Sequence, residues 1–475
     1  MPLEFVLSQK GNQQLVNKGF VYTTDKIKED KHIWKCVHYN RHKCLGRVWT
    51  AEDIVIFEND KHNHVPDVAE IRVKEVMASI KQKAETVMDT PQQILASVTS
   101  SLPAAVAGIL PPVAGIKRNI LKARQKAAGA MSCPTNMRDL LIPDKYTYTV
   151  AGDKFLQFDS GASDNRIIIF STQKNLDLMA TCDHWYADGT FKTSPLLFKQ
   201  VFTIHAIKYN NVLPTVYALL PDKCQDTYSH VLDQLKLLKP GLYPVSVMTD
   251  FENAQINAFS HNFPDIRNRG CFFHFSQCIW RKIQTIADIR SKYEDKDDPD
   301  FALNVRKLAA LAFVPEPDVV NCFERLLWTT FYTDNEDLMS DLVDYFESTW
   351  IGKPRRTGLG RMLPKFKLSL WNCYEASLND LPKTNNAVEG WHRGFSSLLG
   401  ANHPSIWKFI EGLQNQQSLN EFQINQYIAG LPPAQGRRCY RDTALRIKEI
   451  VEDYGNRDTS DYLQGIAHNF QFQSC

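Results

Sequence analysis

The sequence predicts a multidomain α/β chain, and three observations carry that prediction. Residues 1–66 are rich in aromatic and β-branched side chains, broken by Gly11, Gly19 and Gly46. From Asp67 onward the apolar residues fall at helical spacing. Residues 140–275 then alternate strand and helix signals, and about a hundred residues with almost no strand signal follow.

Size and charge bound the function. The chain has 475 residues, room for roughly two to four domains. Hydrophobic residues make up 43%, enough for ordinary cores. The net charge of +2 excludes a wholly polybasic nucleic-acid binder, so any such surface must be local. Met1 to Phe20 is polar and mixed in charge, and no secretory signal is expected there. The uncharged stretch Thr90 to Ile116 is long enough to span a membrane. Pro103, Pro111 and Pro112 interrupt it, so short buried helices joined by a turn are expected instead, with no membrane association. Eleven cysteines, spread unevenly, fit a reduced intracellular protein with one metal site better than a disulfide framework.

In the N-terminal piece, short strands are expected near residues 5–7, 20–23, 33–38, 45–50 and 53–58. A piece this small needs a staple. Cys36 and Cys44 have seven residues between them, and His62 and His64 follow with one between. Two thiolates and two imidazoles suit a closed, tetrahedral structural Zn²⁺. A His-x-His pair can put both rings on one side of an extended segment. The bland alternative is two buried thiols and two loop histidines; His32, His38 and His42 are nearby competitors.

This module resembles the FLYWCH-type zinc finger. The resemblance lies in Gly19-Phe20-Val21-Tyr22, Trp34-Lys35-Cys36, Cys44, Arg47, Thr50 and His62-Asn63-His64. It implies binding to DNA or to protein. Acids and bases nearly balance over residues 1–64, so Lys35, Arg41, Lys43 and Arg47 form at most a local basic edge. A solvated face is the competing reading for these four.

Residues 67–130 read as a helical, basic connector. Ile71, Val76, Ile80 and Val87 give one helix to about residue 88, and Asp89-Thr90-Pro91 starts another. A last helix, about 114–128, carries Lys117, Arg118, Lys122, Arg124 and Lys126. Residues 71–128 hold nine Lys or Arg against three Asp or Glu. That suits a DNA-backbone contact or a solvated face.

Within 140–290, residues 166–171 are an apolar run. Strands are then expected at 184–190, 198–209 and 212–220, with an Asn210-Asn211 turn between the last two. A helix at 226–238, a strand at 244–249, a helix at 252–260 and a strand at 269–275 follow, the last leading into a helix to about residue 290. This order matches an RNase H-like α/β core. It places Asp188 on the first strand and Asp250 at the end of the fourth, where two carboxylates can share a cation. Either Asp alone reads as a turn or capping residue.

The wording around them resembles the MULE (Mutator-like element) transposase domain. The stretches are Trp185-Tyr186-Ala187-Asp188-Gly189-Thr190-Phe191-Lys192, Pro195 to Phe198, Gln200 to Ala206, Pro214 to Pro221, Met248 to Ala254 and Gly270-Cys271-Phe272-Phe273-His274-Phe275. The resemblance resumes near residue 384, at Thr384-Asn385-Asn386, Glu389 and His392. It implies that residues 291–383 are an all-helical insertion and that residues 384–430 end the core, returning Glu389 to the two aspartates. Residues 431–475 read as a helical tail. Cys271 and His274 resemble the Cys-x-x-His motif of this class, with Cys278 a further candidate; they suit a metal or a packing role.

The implied function is metal-dependent DNA strand cleavage and transfer. Asp188, Asp250 and Glu389 would hold two Mg²⁺ or Mn²⁺, in a nuclear protein that assembles as a homo-oligomer on DNA ends. The alternative is a domesticated, non-catalytic DNA-binding protein that regulates transcription. An RNA nuclease shares the carboxylates but does not explain the finger.

Overall fold

The computed structural model describes residues 3–8, 11–28, 30–87, 89–127, 134–433 and 437–472. The chain divides into two compact units, Met1–Ser132 and Cys133–Cys475.

The first unit opens with a six-stranded antiparallel meander in the order β1-β2-β3-β4-β5-β6. The strands are β1 (Glu4–Leu7), β2 (Gln13–Asn17), β3 (Phe20–Lys28), β4 (Lys31–Cys36), β5 (Arg47–Ala51) and β6 (Ile54–Asn59). Lys18-Gly19 and Glu52-Asp53 have both residues at positive φ, the two-residue turn whose twist matches antiparallel strands. Strand β2 had no expectation, because Gln13, Gln14 and Asn17 mask its apolar centre, Leu15 and Val16. Residues 37 and 38 fall outside β4 and lead into a short helix, Tyr39–His42. Leu15, Tyr22, Trp34, Cys36, Cys44 and Val48 form one small buried cluster. Each such apolar side chain contributes about 1.5–3 kcal/mol. Two of the six are the cysteines themselves, so the sheet depends on what they bind.

Helices Val68–Thr86, Pro91–Thr99, Ala104–Ala107 and Val113–Ala127 complete this unit. Thr90 and Gln93 form a reciprocal cap, with Pro91 at the first helical position. Ile71 packs on Val6, Val16 and Val21, so the first helix belongs to the finger's own core. The stretch expected to form buried helices is helical but buries only Ile94, Val106 and Ile116 among its described apolar residues. No helix among the described residues is long and apolar enough to cross a membrane. The expected end of the last helix at Ala128 lies outside the described residues, as does the side chain of Lys126.

The second unit is mixed α/β. Its seven-stranded sheet runs β13-β12-β9-β10-β11-β8-β7. The strands are β7 (Leu156–Asp159), β8 (Ile168–Phe170), β9 (His184–Thr190), β10 (Gln200–Lys208), β11 (Asn211–Leu220), β12 (Ser246–Thr249) and β13 (Arg267–Gly270). Strand β9 pairs antiparallel with β10 and parallel with β12. The β10–β11 turn is Tyr209-Asn210, one residue earlier than expected. Asn211 instead pairs with Lys208 and donates its amide to Tyr427 Oη at 2.7 Å.

Both sheet faces are covered. Helices Gln173–Ala180, Gln225–Leu238 and Asn253–Asn262 meet one face through Leu176, Val231, Leu235 and Phe259. Helices Asn386–Leu399 and Ile406–Ile428 meet the other through Phe395, Leu399, Phe409 and Leu413. The strand expected at 269–275 stops at Gly270, and helix Phe272–Gln284 begins. Phe272, Phe275, Ile279 and Ile283 recur at helical spacing, and that periodicity overrides the β propensity of the phenylalanines. This helix anchors a helical block whose core includes Phe313, Phe323, Phe346, Trp350 and Trp371. The C-terminal residues Val451, Tyr462, Leu463 and Ile466 belong to the same core.

Candidate active site and metal centre

In the finger, the helix Tyr39–His42 and Lys43, at φ 55, turn the chain back after β4. Cys36 N–H then donates to Gly46 O, and Cys44 lies beside Cys36. Cys36 Sγ is 3.2 Å from His64 Nε2, and Cys44 Sγ is 3.3 Å from His62 Nδ1. The two nitrogens are 3.4 Å apart. A tetrahedral zinc with ordinary bond lengths needs sulfur–nitrogen edges of roughly 3.6 Å and nitrogen–nitrogen edges of roughly 3.3 Å. The four atoms, all within 4.8 Å of one another, are close to that shape.

The surroundings also fit zinc. His62 Nε2 lies 2.8 Å from Tyr22 Oη, and His64 Nδ1 lies 3.1 Å from Val65 O. Each ring thus uses its outer nitrogen in a supporting hydrogen bond, as ligating imidazoles do. Burial and the neighbouring Cys44 push the Cys36 thiol up to about 11, so a cation is needed to make it a thiolate. Phe20 stacks on His62 at 3.6 Å, and Gly46 lies on the same ring, where a Cβ would come within 2.3 Å of it. Two of the three competing histidines have other partners: His32 meets Thr24, and His38 pairs with Glu70. All nine described cysteines are free thiols.

The expected basic residues divide into free and committed groups. Arg41 and Lys43 are exposed. Lys35 pairs with Asp25 at 2.9 Å, and Arg47 sits 4.6 Å over the Tyr39 ring. Arg118 and Lys122 are exposed, while Lys117 donates to Gln92 at 3.1 Å. Arg124 donates to the carbonyls of Ala84, Val87 and Asp89, closing the end of helix Val68–Thr86. Its guanidinium is therefore committed to the fold.

In the second unit, two aspartates lie toward the same end of neighbouring parallel strands. Tyr186 on β9 pairs with Met248 on the parallel β12. Asp188 follows two residues later on β9, and Asp250 directly follows the last residue of β12, so both acids lie toward the same end. Tyr186, Met248 and Cys271 pack with Val388 of helix Asn386–Leu399. That contact seats the first turn of the helix, with Glu389, over the strand ends.

Two histidines engage the three acids. His274 Nδ1 is 2.8 Å from Asp250 Oδ1, and its Nε2 is 3.9 Å from Glu389 Oε1. His392 Nε2 is 3.1 Å from Asp188 Oδ2. Burial alone would lower the His274 pKa. Its close contact with Asp250, and the charges of Asp250 and Cys271, outweigh burial and carry it up to about 11. Burial would raise Asp188; the contact and charge of His392, the Gly189 N–H and the His274 charge hold it low instead. Asn385 is buried, donates to Asp250 Oδ1 at 3.2 Å, and accepts from Cys271 Sγ at 3.2 Å.

The oxygen donors thus suit a hard cation in kind, but an imidazole contacts each of them. Among the described residues, the set at Cys36 is the group of three or more potential ligands whose atoms all approach within 4.8 Å. Cys271, His274 and Cys278 do not form such a group: Cys271 meets Asn385 and His274 turns to the acids. Sequence reasoning assigned no role to His392 or Asn385. The signal for His392 was its i+3 spacing from Glu389, which puts both on one helix face.

Comparison with known proteins finds two domains. Residues 5–64 match the FLYWCH zinc finger domain, and residues 184–278 match the MULE transposase domain. The chain carries both; Glu389 lies beyond the second match. Over 66 residues the chain is 36% identical to FLYWCH-type zinc finger-containing protein 1 of Mus musculus. That match covers 14% of this chain and 10% of the relative, so the chain spans about a tenth of that protein's length. A solved structure, the Drosophila P element transposase strand transfer complex, aligns over 75% of this chain and 92% of its own. Its identity is 10% and its TM-score 0.27, a level from which no shared fold follows.

Proposed function

From a chain that carries a FLYWCH zinc finger and a MULE transposase domain, we propose a DNA transposase that cleaves and rejoins strands with divalent metal. One observation carries the reading: Asp188 lies on β9, Asp250 directly follows its parallel neighbour β12, and His274 contacts both Asp250 and Glu389. The strand order supports an RNase H-like core in which β9, β10 and β11 precede β12 and β13. In this reading residues 1–66 are the finger, 67–130 the connector, 140–290 and 384–430 the core, 291–383 its insertion, and 431–475 the tail.

Mg²⁺ or Mn²⁺ at Asp188, Asp250 and Glu389 would supply charge that activates an attacking oxygen and steadies a leaving one. The chain's residues do the rest. His392 keeps Asp188 ionised and oriented. Asn385 fixes one Asp250 oxygen by donating to it. His274 holds a proton between Asp250 and Glu389. Structural Zn²⁺ at Cys36, Cys44, His62 and His64 shapes the finger. Exposed Arg41, Lys43, Arg118 and Lys122 meet the DNA backbone, and the protein works in the nucleus as a homo-oligomer on DNA ends.

The test is cleavage and joining of duplex ends in Mg²⁺ or Mn²⁺, with Asp250→Asn as control. Activity in the wild type and its loss in the variant are expected; equal behaviour of the two sinks the enzyme reading. A second reading, DNA binding without catalysis, draws on the histidines that already occupy contacts with the acids. DNA binding by a wild type that never cleaves would select it.

A further inference from the structure

We infer that residues 353–367 are a basic hairpin that grips duplex DNA beside the carboxylates, with Leu359 entering the groove. The inference rests on the DNA-processing reading and deepens it. The segment holds six Lys or Arg and no acid.

Its base is built rigidly. Pro354 and Arg361 form an antiparallel bridge, Met362 N–H donates to Lys353 O at 2.8 Å, and Arg355 N–H donates to Gly360 O at 3.1 Å. Arg361 donates to Glu347 and Glu324, both at 2.6 Å, and to Gly352 O at 2.7 Å. Lys353 pairs with Asp344. These contacts consume two of the six cations and the acids facing them. Arg355, Arg356, Lys365 and Lys367 are exposed, and none has an acidic partner among the described residues. Four like charges held together in this way suit a polyanion, whose counterions they displace.

The tip points to a groove rather than to a protein. Gly358 and Gly360 sit at φ +87 and +90 with open space around them. Leu359 between them is 100% exposed. A leucine that local backbone geometry holds in water, flanked by arginines, has the makings of a minor-groove wedge.

The base also packs against the site. Phe366 and Trp350 each lie 5.1 Å from the ring of Phe251, the residue after Asp250. The hairpin is therefore placed to hold the duplex flanking a strand that enters the carboxylates.

The experiment measures binding of the full-length protein to a short duplex across a salt series. Unfolding midpoints check that each variant folds. Replacing Arg355, Arg356, Lys365 and Lys367 by Ala is expected to reduce the log–log salt slope by roughly 3–4, at about 0.9 per phosphate contact. If that variant unfolds, R355A/R356A is read instead, with a drop of roughly 2 expected. With 2-aminopurine in the duplex, wild type should raise its fluorescence on binding, and Leu359→Ala should abolish the rise at unchanged slope. An unchanged slope in the alanine variants, or no DNA binding by wild type, overturns the hairpin. Duplex RNA bound with the same hairpin-dependent slope overturns its assignment to DNA. Cleavage is scored separately. A slope that falls with no cleavage anywhere keeps the hairpin and removes the enzyme; cleavage with an unchanged slope does the reverse.

Discussion

Replacing Gly46 with alanine should disable the zinc site although Gly46 is not a ligand. A Cβ there would lie 2.3 Å from His62 Cε1, 2.6 Å from Nε2 and 2.8 Å from Nδ1. The ring has little room to retreat, because Phe20 stacks on it at 3.6 Å and 8°. Its Nε2 is also tied to Tyr22 Oη at 2.8 Å. His62 must therefore leave the ligand set, or β5 must shift at its start. Structural zinc is worth about 10–16 kcal/mol in finger peptides. Losing one ligand of four, taken as roughly a quarter of that, removes about 2.5–4 kcal/mol, or about two to three orders of magnitude in affinity. A chelator competition titration, with zinc counted per chain, reads this directly. Buried Trp34 reports sheet unfolding by its emission. Gly46→Ala that binds zinc with wild-type affinity and stoichiometry would refute the assignment of His62 as a ligand.

Three further outcomes are expected. Arg124→Ala removes bonds to three carbonyls and should cost roughly 1–2 kcal/mol of first-unit stability. Its DNA salt slope should not change, whereas Arg118→Ala and Lys122→Ala should lower the slope at constant stability; the opposite pattern would make Arg124 the DNA contact. Asn385→Ala removes one of the two side-chain partners of Asp250 and the acceptor of the buried Cys271 thiol and should cost about 1–3 kcal/mol. An unfolding midpoint that does not move counts against that linkage. His184 has its pKa lowered, first by burial and then by the charge of Arg269. The unfolded chain therefore binds the proton more readily. Stability from this group is full above about pH 6.5 and is lost as pH falls toward the folded pKa. Wild type should lose stability on acidification from about pH 7.5 to 5.5, and His184→Gln should flatten that loss; parallel curves would contradict it.

Some of the fold was legible because it depends on neighbours in sequence. Strand β9 falls at the expected residues 184–190, and the helix at Gln225–Leu238 differs from expectation by one residue at its start. Alternation and helical spacing are local properties, so the chain displays them directly. Where two local signals competed, sequence reading failed. Residues 271–275 carry phenylalanines that favour strands, yet the core opposite selects their helical spacing. Strand β2 escaped notice because its polar ends dilute a two-residue apolar centre that only the folded sheet buries.

The same division holds for the sites. The sequence by itself determined the donor types: two thiols and two imidazoles near the N-terminus, and carboxylates beside apolar runs further on. Spacing restricts what a short loop can bring together, so the four finger residues group by their positions in the chain alone. Tertiary structure alone decided which ring nitrogen faces inward and that Arg124 serves a helix end rather than a ligand. It also decided that His274 and His392, not a single ring of acids, connect Asp188, Asp250 and Glu389. Those partnerships join residues held on different elements of the fold. They follow from sheet register and from the seating of Val388 on Tyr186 and Met248, which no local pattern encodes.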